Sequence, residues 1–169
     1  SGFRFLSDKP IMVIVNSDED RYGSSSEVVG ELSKTYTTVE FAGNFEMELA
    51  QLDDEEEAQA FMEDLGIEES ARTRLTTIAY ELLGLISFFT VSPDEVRAWT
   101  IREGESAVDA AGAIHSDLAR GFIRAECFNY VALIESGTEK EVRSSGQFRL
   151  EGKEYQVQDG DILNIRFSV

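Results

Sequence analysis

The hydrophobic positions of this chain change their spacing once, near Gly84. Before it, two short apolar runs alternate with longer segments of helical period. Ile11, Met12, Val13, Ile14 and Val15 stand uninterrupted between Pro10 and the polar cluster Asn16-Ser17-Asp18-Glu19-Asp20. Such a run, rich in β-branched side chains, predicts a strand over 11–15 buried on both faces, the pattern of a parallel sheet. A second strand is predicted over 37–41. Between them, SSSEVVGELSK offers a serine cap and sets Val28, Val29 and Leu32 on one side of a helix. In DDEEEAQAFMEDLG, Asp53 is the predicted cap with Glu56 three residues on. Ala58, Phe61, Met62 and Leu65 form its apolar stripe, and Gly66 is the stop. The acidic run 53–57 is therefore a charged helix start rather than a metal site. SARTRLTTIAYELLG sets Leu75, Ile78, Ala79, Leu82 and Leu83 on one face and stops at Gly84.

After Gly84 the pattern becomes β-rich. ISFFTV and EVRAWTIRE flank Ser92-Pro93-Asp94 and predict a hairpin. SAVDAAGAIHSDLARG contains a helix with Ala107, Ala110, Ala111 and Ile114 on one face. FIRAECFNY and GQFRLEGKEYQVQDGDILNIRFSV supply at least three more strands, the last with Leu163, Ile165, Phe167 and Val169 alternating inward. Strand, strand, helix, then strands is the order of a ubiquitin-like β-grasp. The fold class expected is α/β followed by α+β.

Composition narrows the function. The 169 residues, 42% of them apolar, suffice for one medium domain or two small ones. No apolar run is long enough for a membrane span, and SGFRFLSDKP lacks a signal-peptide pattern. A lone cysteine, Cys127, fits a reducing cytoplasm and reads as a small buried hydrophobe. The net charge of −18 opposes non-specific nucleic-acid binding through the whole surface. That charge is uneven. Residues 1–85 carry six Lys/Arg against nineteen Asp/Glu, and residues 86–169 carry nine against fourteen. A local basic face is thus left open to the second half.

The polar cluster Asn16-Ser17-Asp18-Glu19 stands at the carboxyl end of a predicted parallel strand, where ligands bind in open α/β sheets. On those four residues alone, an Asx-type turn explains it as well as a ligand does. The longer segments favour the ligand. VNSDED, ELAQLDDEE, FMEDLGIEES, AYELLGLISFFTV, EVRAWTIREG, AAGAIHSDLARGFIRAE and LEGKEYQVQDGDILNIRF together resemble the C-terminal part of the YchF/Obg-like ATPases, over essentially the whole chain. The resemblance implies that residues 1–85 are the trailing part of a P-loop G domain and residues 86–169 a TGS domain, a β-grasp module.

It also implies that Asn16-x-x-Glu19 is this family's form of the base-recognition motif, Asn-Lys-x-Asp in most GTPases. The chemistry accounts for the change. An aspartate accepts two bonds from guanine, from the ring N–H and the exocyclic amine, whereas adenine offers a repelling lone pair there. The longer Glu19 loses the close bidentate fit, while the Asn16 amide can still pair with adenine N7 and N6. The resemblance accordingly implies that ATP is used at least as well as GTP. The family's next base-contacting loop aligns with FAGNFEME, where Ala42 and Gly43 replace Ser-Ala; a backbone N–H of Gly43 or Asn44 could still reach the base.

No G-x-x-x-x-G-K-[ST] phosphate loop is present. Gly146 to Lys153 imitates it poorly, with five residues between the glycines and Glu154 in the Ser/Thr place. The expectation is a C-terminal fragment of a longer cytoplasmic ATPase. ATP or GTP with Mg²⁺ would serve the full-length protein, with none bound by the fragment, and no catalytic or metal-ligating residue is assigned here.

By resemblance the partner is the ribosome or RNA, with no membrane and no sequence-specific DNA. The candidate contacts are Arg97, Arg102, Arg120, Arg124, Arg149, Lys153 and Arg166, though ordinary solvated surface explains any single one of them. A nucleotide-independent β-grasp binding module is the alternative function. His115, the only histidine, is read as ordering the loop at a helix end, and Trp99 as core packing beside Ile101.

Overall fold

The computed structural model describes residues 5–23, 26–52, 54–64, 66–92 and 94–168. Asp53, Leu65, Pro93 and Val169, and Ser24 and Ser25 of the expected serine cap, lie outside the described residues, as does the segment 1–4. The chain divides into two compact units, residues 1–83 and 84–169.

In the first unit, β1 (Met12–Asn16) and β2 (Thr37–Phe41) pair in parallel, from Met12 opposite Thr37 to Asn16 opposite Phe41. Their connection carries α1 (Ser26–Ser33), because parallel neighbours need a crossover. Val29 and Leu32 turn inward while Val28 is exposed. Burial of β1 on both faces is not observed: Ile14 is 47% exposed. A two-stranded sheet with one crossover helix offers too little cover for two faces.

Three helices follow, α2 (Gly43–Leu49), α3 (Glu55–Asp64) and α4 (Ala71–Leu83). The Glu56 N–H at the start of α3 donates to the Asp54 carboxylate at 2.8 Å. Ala42, Phe45 and Ile67 are the buried centre of this unit, with Tyr22, Leu49, Phe61 and Met62 packed around them. Phe45 stacks on Phe61 with ring centroids 4.7 Å apart. Leu83, assigned to the inner face of α4, is exposed at the helix end.

The second unit opens with the expected hairpin, β3 (Leu85–Val91) and β4 (Val96–Arg102). After it come α5 (Ala107–Ile114), α6 (Ser116–Arg120), β5 (Phe122–Asn129), α7 (Tyr130–Ser136), α8 (Glu139–Ser144), β6 (Arg149–Glu151) and β7 (Asp161–Phe167). The sheet order is β4-β3-β7-β5-β6, with β3 parallel to β7 and the other pairs antiparallel. Ser106 and Asp109 form a reciprocal cap on α5. Its small inner residues Ala107, Ala110 and Ala111 let the helix settle on Phe88, Ile101, Cys127 and Leu163.

The opposite face of the sheet is also covered. Phe128 and Ile162 pack against Ala132 of α7 and Val142 of α8; the hydrophobic pattern gave no sign of these two helices. The core extends along β7 to Ile165, so Phe167, expected to point inward, is 46% exposed at the strand's end. His115 ends α5 and caps α6, its Nδ1 accepting from the Asp117 N–H at 3.1 Å. Trp99 packs on the core and donates from Nε1 to Thr90 Oγ1 at 3.0 Å.

Candidate functional site

Parallel pairing brings the carboxyl ends of β1 and β2 to one edge, and three hydrogen bonds join the loops that leave them. The Ser17 N–H donates to the Phe41 carbonyl at 2.9 Å. Ser17 Oγ donates to Glu40 Oε1 at 2.6 Å. The Gly43 N–H donates to Asn16 Oδ1 at 3.0 Å. Only a glycine fits the last arrangement without movement, since a Cβ at position 43 would stand 2.8 Å from that same oxygen.

These bonds assign the Asn16 amide. Oδ1 already serves Gly43, so a second donor must share it through the other lone pair, while Nδ2 has no partner among the described residues. The Gly43 N–H is consumed, which removes it from the two backbone donors considered for a base. The Asn44 N–H, at the exposed start of α2, is the one left. Glu19 begins a 3-10 turn, Glu19–Arg21, closed by the Arg21 N–H on the Asp18 carbonyl at 2.9 Å. The Glu19 side chain lies outside what the structure describes.

A residue that sequence reading passed over enters here from α4. Arg74 Nη1 donates to the Tyr22 hydroxyl at 3.1 Å, and Nη2 donates to the Glu40 carbonyl. Its Nε–H is buried with no acceptor among the described residues. A cavity of about 280 Å³ opens beside it, lined by Tyr22, Gly66, Ile67, Glu68, Glu69 and Arg74. No local pattern marks Arg74, Tyr22 or Glu40 as site residues, because each acts across a long stretch of chain.

The seven basic candidates of the second half differ in the partners they have. Arg97 pairs with Glu95 and lies over the Trp99 ring, and Arg120 pairs with Asp117. Arg102, Arg124 and Lys153 are exposed with no ion pair shown among the described residues. Arg124 stands directly across from Arg166 in the β5–β7 pair. Arg166 and Arg143, the latter missed in the sequence, both donate to Glu126. Burial pushes the Glu126 carboxyl up, and the two guanidinium groups outweigh it, holding its pKa below the ordinary value.

Arg149, itself exposed, reaches a buried acidic group. It donates to the Tyr155 hydroxyl at 3.0 Å and to Asp161 Oδ1 at 3.3 Å, with Cys127 Sγ at 3.2 Å. Asp161, 1% exposed, also accepts from the Tyr155 hydroxyl at 2.7 Å and the Gln158 N–H at 3.0 Å. Burial and the nearby Asp161 charge push the Cys127 thiol up to about 11, which keeps it protonated and unreactive. The segment EGKEYQVQDGD is thus a structural element: its Tyr155 and Asp161 build this network, and its Asp159 accepts from the Ser87 N–H at 2.8 Å.

Among the described residues no three His, Cys, Asp or Glu side chains are placed to hold a metal ion, and no described side chain is assigned to Mg²⁺. No described helix is long and apolar enough to cross a membrane.

Residues 85–168 match the family YchF-GTPase_C, described as a protein of unknown function (DUF933). The chain is 44% identical to the ribosome-binding ATPase YchF of Bacillus subtilis (strain 168) over 97% of its own length and 46% of that protein. It is 42% identical to the ribosome-binding ATPase YchF of Haemophilus influenzae over 99% of its length and 47% of that protein. The solved structure of the Schizosaccharomyces pombe YchF GTPase superposes with a TM-score of 0.82 at 32% identity, covering 95% of this chain and 44% of that one. The chain therefore spans about half the length of the curated relatives it matches.

Proposed function

The chain belongs to the YchF family, and on that premise we propose that it is the base-reading and partner-docking portion of a longer cytoplasmic ATP or GTP hydrolase. Residues 1–85 act as the trailing part of its G domain and residues 86–169 as its TGS domain. The observation that carries the reading is the Asn16 amide at the carboxyl end of a parallel strand pair, its Oδ1 held by the Gly43 N–H and its Nδ2 left without a partner among the described residues. That donor suits the N7 acceptor of either purine. Adenine N6 would share Oδ1 with Gly43, and the choice between the purines then falls on Glu19. The sheet order β4-β3-β7-β5-β6 around α5 supports the β-grasp assignment.

Phosphoryl transfer depends on charge stabilisation at the phosphates, and the sequence holds no phosphate loop. The isolated 169 residues bind ATP weakly and do not hydrolyse it; in the full-length protein Mg²⁺ and the triphosphate are held elsewhere. The decisive experiment is calorimetry of ATP and GTP on the full-length protein carrying Ser17→Lys with Glu19→Asp. Restoring the bidentate carboxylate shifts preference toward GTP by about 1–3 kcal/mol, and an unchanged ratio removes the base-reading role.

The second reading, a nucleotide-independent module for the ribosome or RNA, draws on Arg124 and Arg166 side by side on β5 and β7. Co-sedimentation of residues 86–169 with ribosomes, weakened by Arg120→Glu with Arg124→Glu, supports it. Binding that is lost with residues 1–85 and indifferent to those changes places the partner surface in the first unit.

A further inference from the structure

We propose that Arg74 is a positioning residue for the nucleotide base, acting from α4 through the two loops that carry Asn16 and Gly43. The inference rests on the base-reading role of Asn16. Tyr22 lies just past the 3-10 turn that Glu19 begins. Glu40 precedes Gly43 by three residues and is joined by its carboxylate to Ser17. Arg74 holds the first by its hydroxyl and the second by its carbonyl. One rigid group on a third element therefore sets the separation of the two loops.

The chemistry favours a guanidinium for this task. Its fork presents two N–H groups at a fixed spread, whereas a lysine ammonium is a point donor on a flexible stem. The group is partly buried beside Tyr22, and among the described residues its partners are a hydroxyl and a carbonyl, with no carboxylate bonded to it. One of its N–H groups, Nε, lacks an acceptor altogether among the described residues, a cost that an apolar side chain would avoid. The two bonds offset that cost. Without them, the turn after Asn16 keeps its own Arg21–Asp18 closure but loses its tie to β2 through α4.

The consequence is selective. Contacts to the base pass through Asn16 and the start of α2; contacts to the phosphates do not involve this chain. In the full-length protein, Arg74→Met is expected to weaken ATP binding roughly tenfold, the scale of a lost charge-assisted hydrogen bond. Binding of tripolyphosphate, the probe that lacks a base, is expected to stay the same, and the ATP-to-GTP affinity ratio to move toward one. Arg74→Lys, which keeps charge but not the fork, falls between. Tyr22→Phe removes a single hydroxyl, so it tests the same bridge if Arg74→Met folds poorly; it weakens ATP binding alone and adds nothing in the Arg74→Met background.

A parallel loss of ATP and tripolyphosphate binding would overturn the proposal, since general destabilisation does not distinguish the two. So would full ATP affinity in both Arg74→Met and Tyr22→Phe while Asn16→Ala still weakens it. If Asn16→Ala is itself silent, the base-reading role has failed, and the positioning role falls with it; that outcome is distinct from a failure of Arg74 alone.

Discussion

In residues 84–169 a five-stranded sheet is covered by α5 on one face and by α7 and α8 on the other, and the buried Asp161 is satisfied by hydrogen bonds. In residues 1–83 a two-stranded sheet leaves Ile14 half in water, and the buried centre is only Ala42, Phe45 and Ile67 with their neighbours. The second unit is organised by packing, and its hydrogen bonds finish what packing begins. At the candidate site of the first unit the order is reversed: hydrogen bonds from Ser17, Gly43 and Arg74 set the loops where apolar cover is thin. A ligand site gains from the second arrangement, because directional bonds fix donors at particular positions while leaving the surface open.

The contrast is broken most severely at Phe45. Phe45→Ala removes the largest fully buried ring of a small cluster, and about 3–5 kcal/mol of stability in the first unit is expected to go. Hydrogen exchange at α2 and α4 amides reads this loss. The chain has a single tryptophan, Trp99, in the second unit, and its fluorescence transition in urea is expected to stay in place. A Trp99 midpoint that moves with Phe45→Ala would mean the two units share one unfolding transition.

The matching test in the second unit is Asp161→Ala. It leaves the Tyr155 hydroxyl, the Gln158 N–H and the Arg149 guanidinium without their common acceptor. About 3 kcal/mol is expected from such unsatisfied groups, seen as a lower urea midpoint for Trp99. A loss well under 1 kcal/mol would make the network a passenger on the packed sheet.

Gly43→Ala sharpens the site side of the comparison. The new methyl meets Asn16 Oδ1 at 2.8 Å, and the amide must swing away. About 1 kcal/mol of ATP affinity in the full-length protein is expected to go with the displaced hydrogen bond, with little change in stability. Calorimetry set beside a thermal melt separates the two effects.

The smallest effect is a pH dependence. Because the Glu126 pKa is lowered in the fold, its contribution is fully present above its ordinary value of 4.5 and is lost as pH falls through the depressed value. Its partners Arg143 and Arg166 are well exposed, so less than about 1 kcal/mol is at stake. Glu126→Gln is expected to flatten the acid limb of the Trp99 stability curve below pH 4.5 and leave the neutral region nearly unchanged. An acid limb that keeps its slope would assign the acid sensitivity to other carboxylates.

Much of this fold is legible in the chain because its longer elements obey their periods. The stripe of α3, the alanine face of α5 and the β3–β4 hairpin follow from spacing and turn residues alone. The elements that escape are short and broken by their own composition. α2 starts at Gly43-Asn44, which reads as loop, and α7 and α8 are separated by Gly137-Thr138 and closed by Ser144-Ser145-Gly146. At the site, Asn16 became visible through resemblance to a family, since four residues with two free positions say little by themselves. Arg74 is legible by neither route. Its partner Tyr22 is 52 positions away, and nothing in either neighbourhood announces the other.

The sheet order has a consequence for the protein in bulk solution. Among the described residues β4 has a neighbour on one side only, and Val96 at its start is 67% exposed. An open strand of that kind can template pairing between molecules unless charge keeps them apart. Arg97 and Arg102 stand on that strand and Glu95 just before it, and the net charge of −18 adds mutual repulsion at neutral pH. The second protection depends on pH. Near the isoelectric pH of about 4.3 the overall repulsion vanishes. Mild acid is therefore the condition in which strand-to-strand association at the β4 edge is expected, and light scattering across about pH 4–7 checks it.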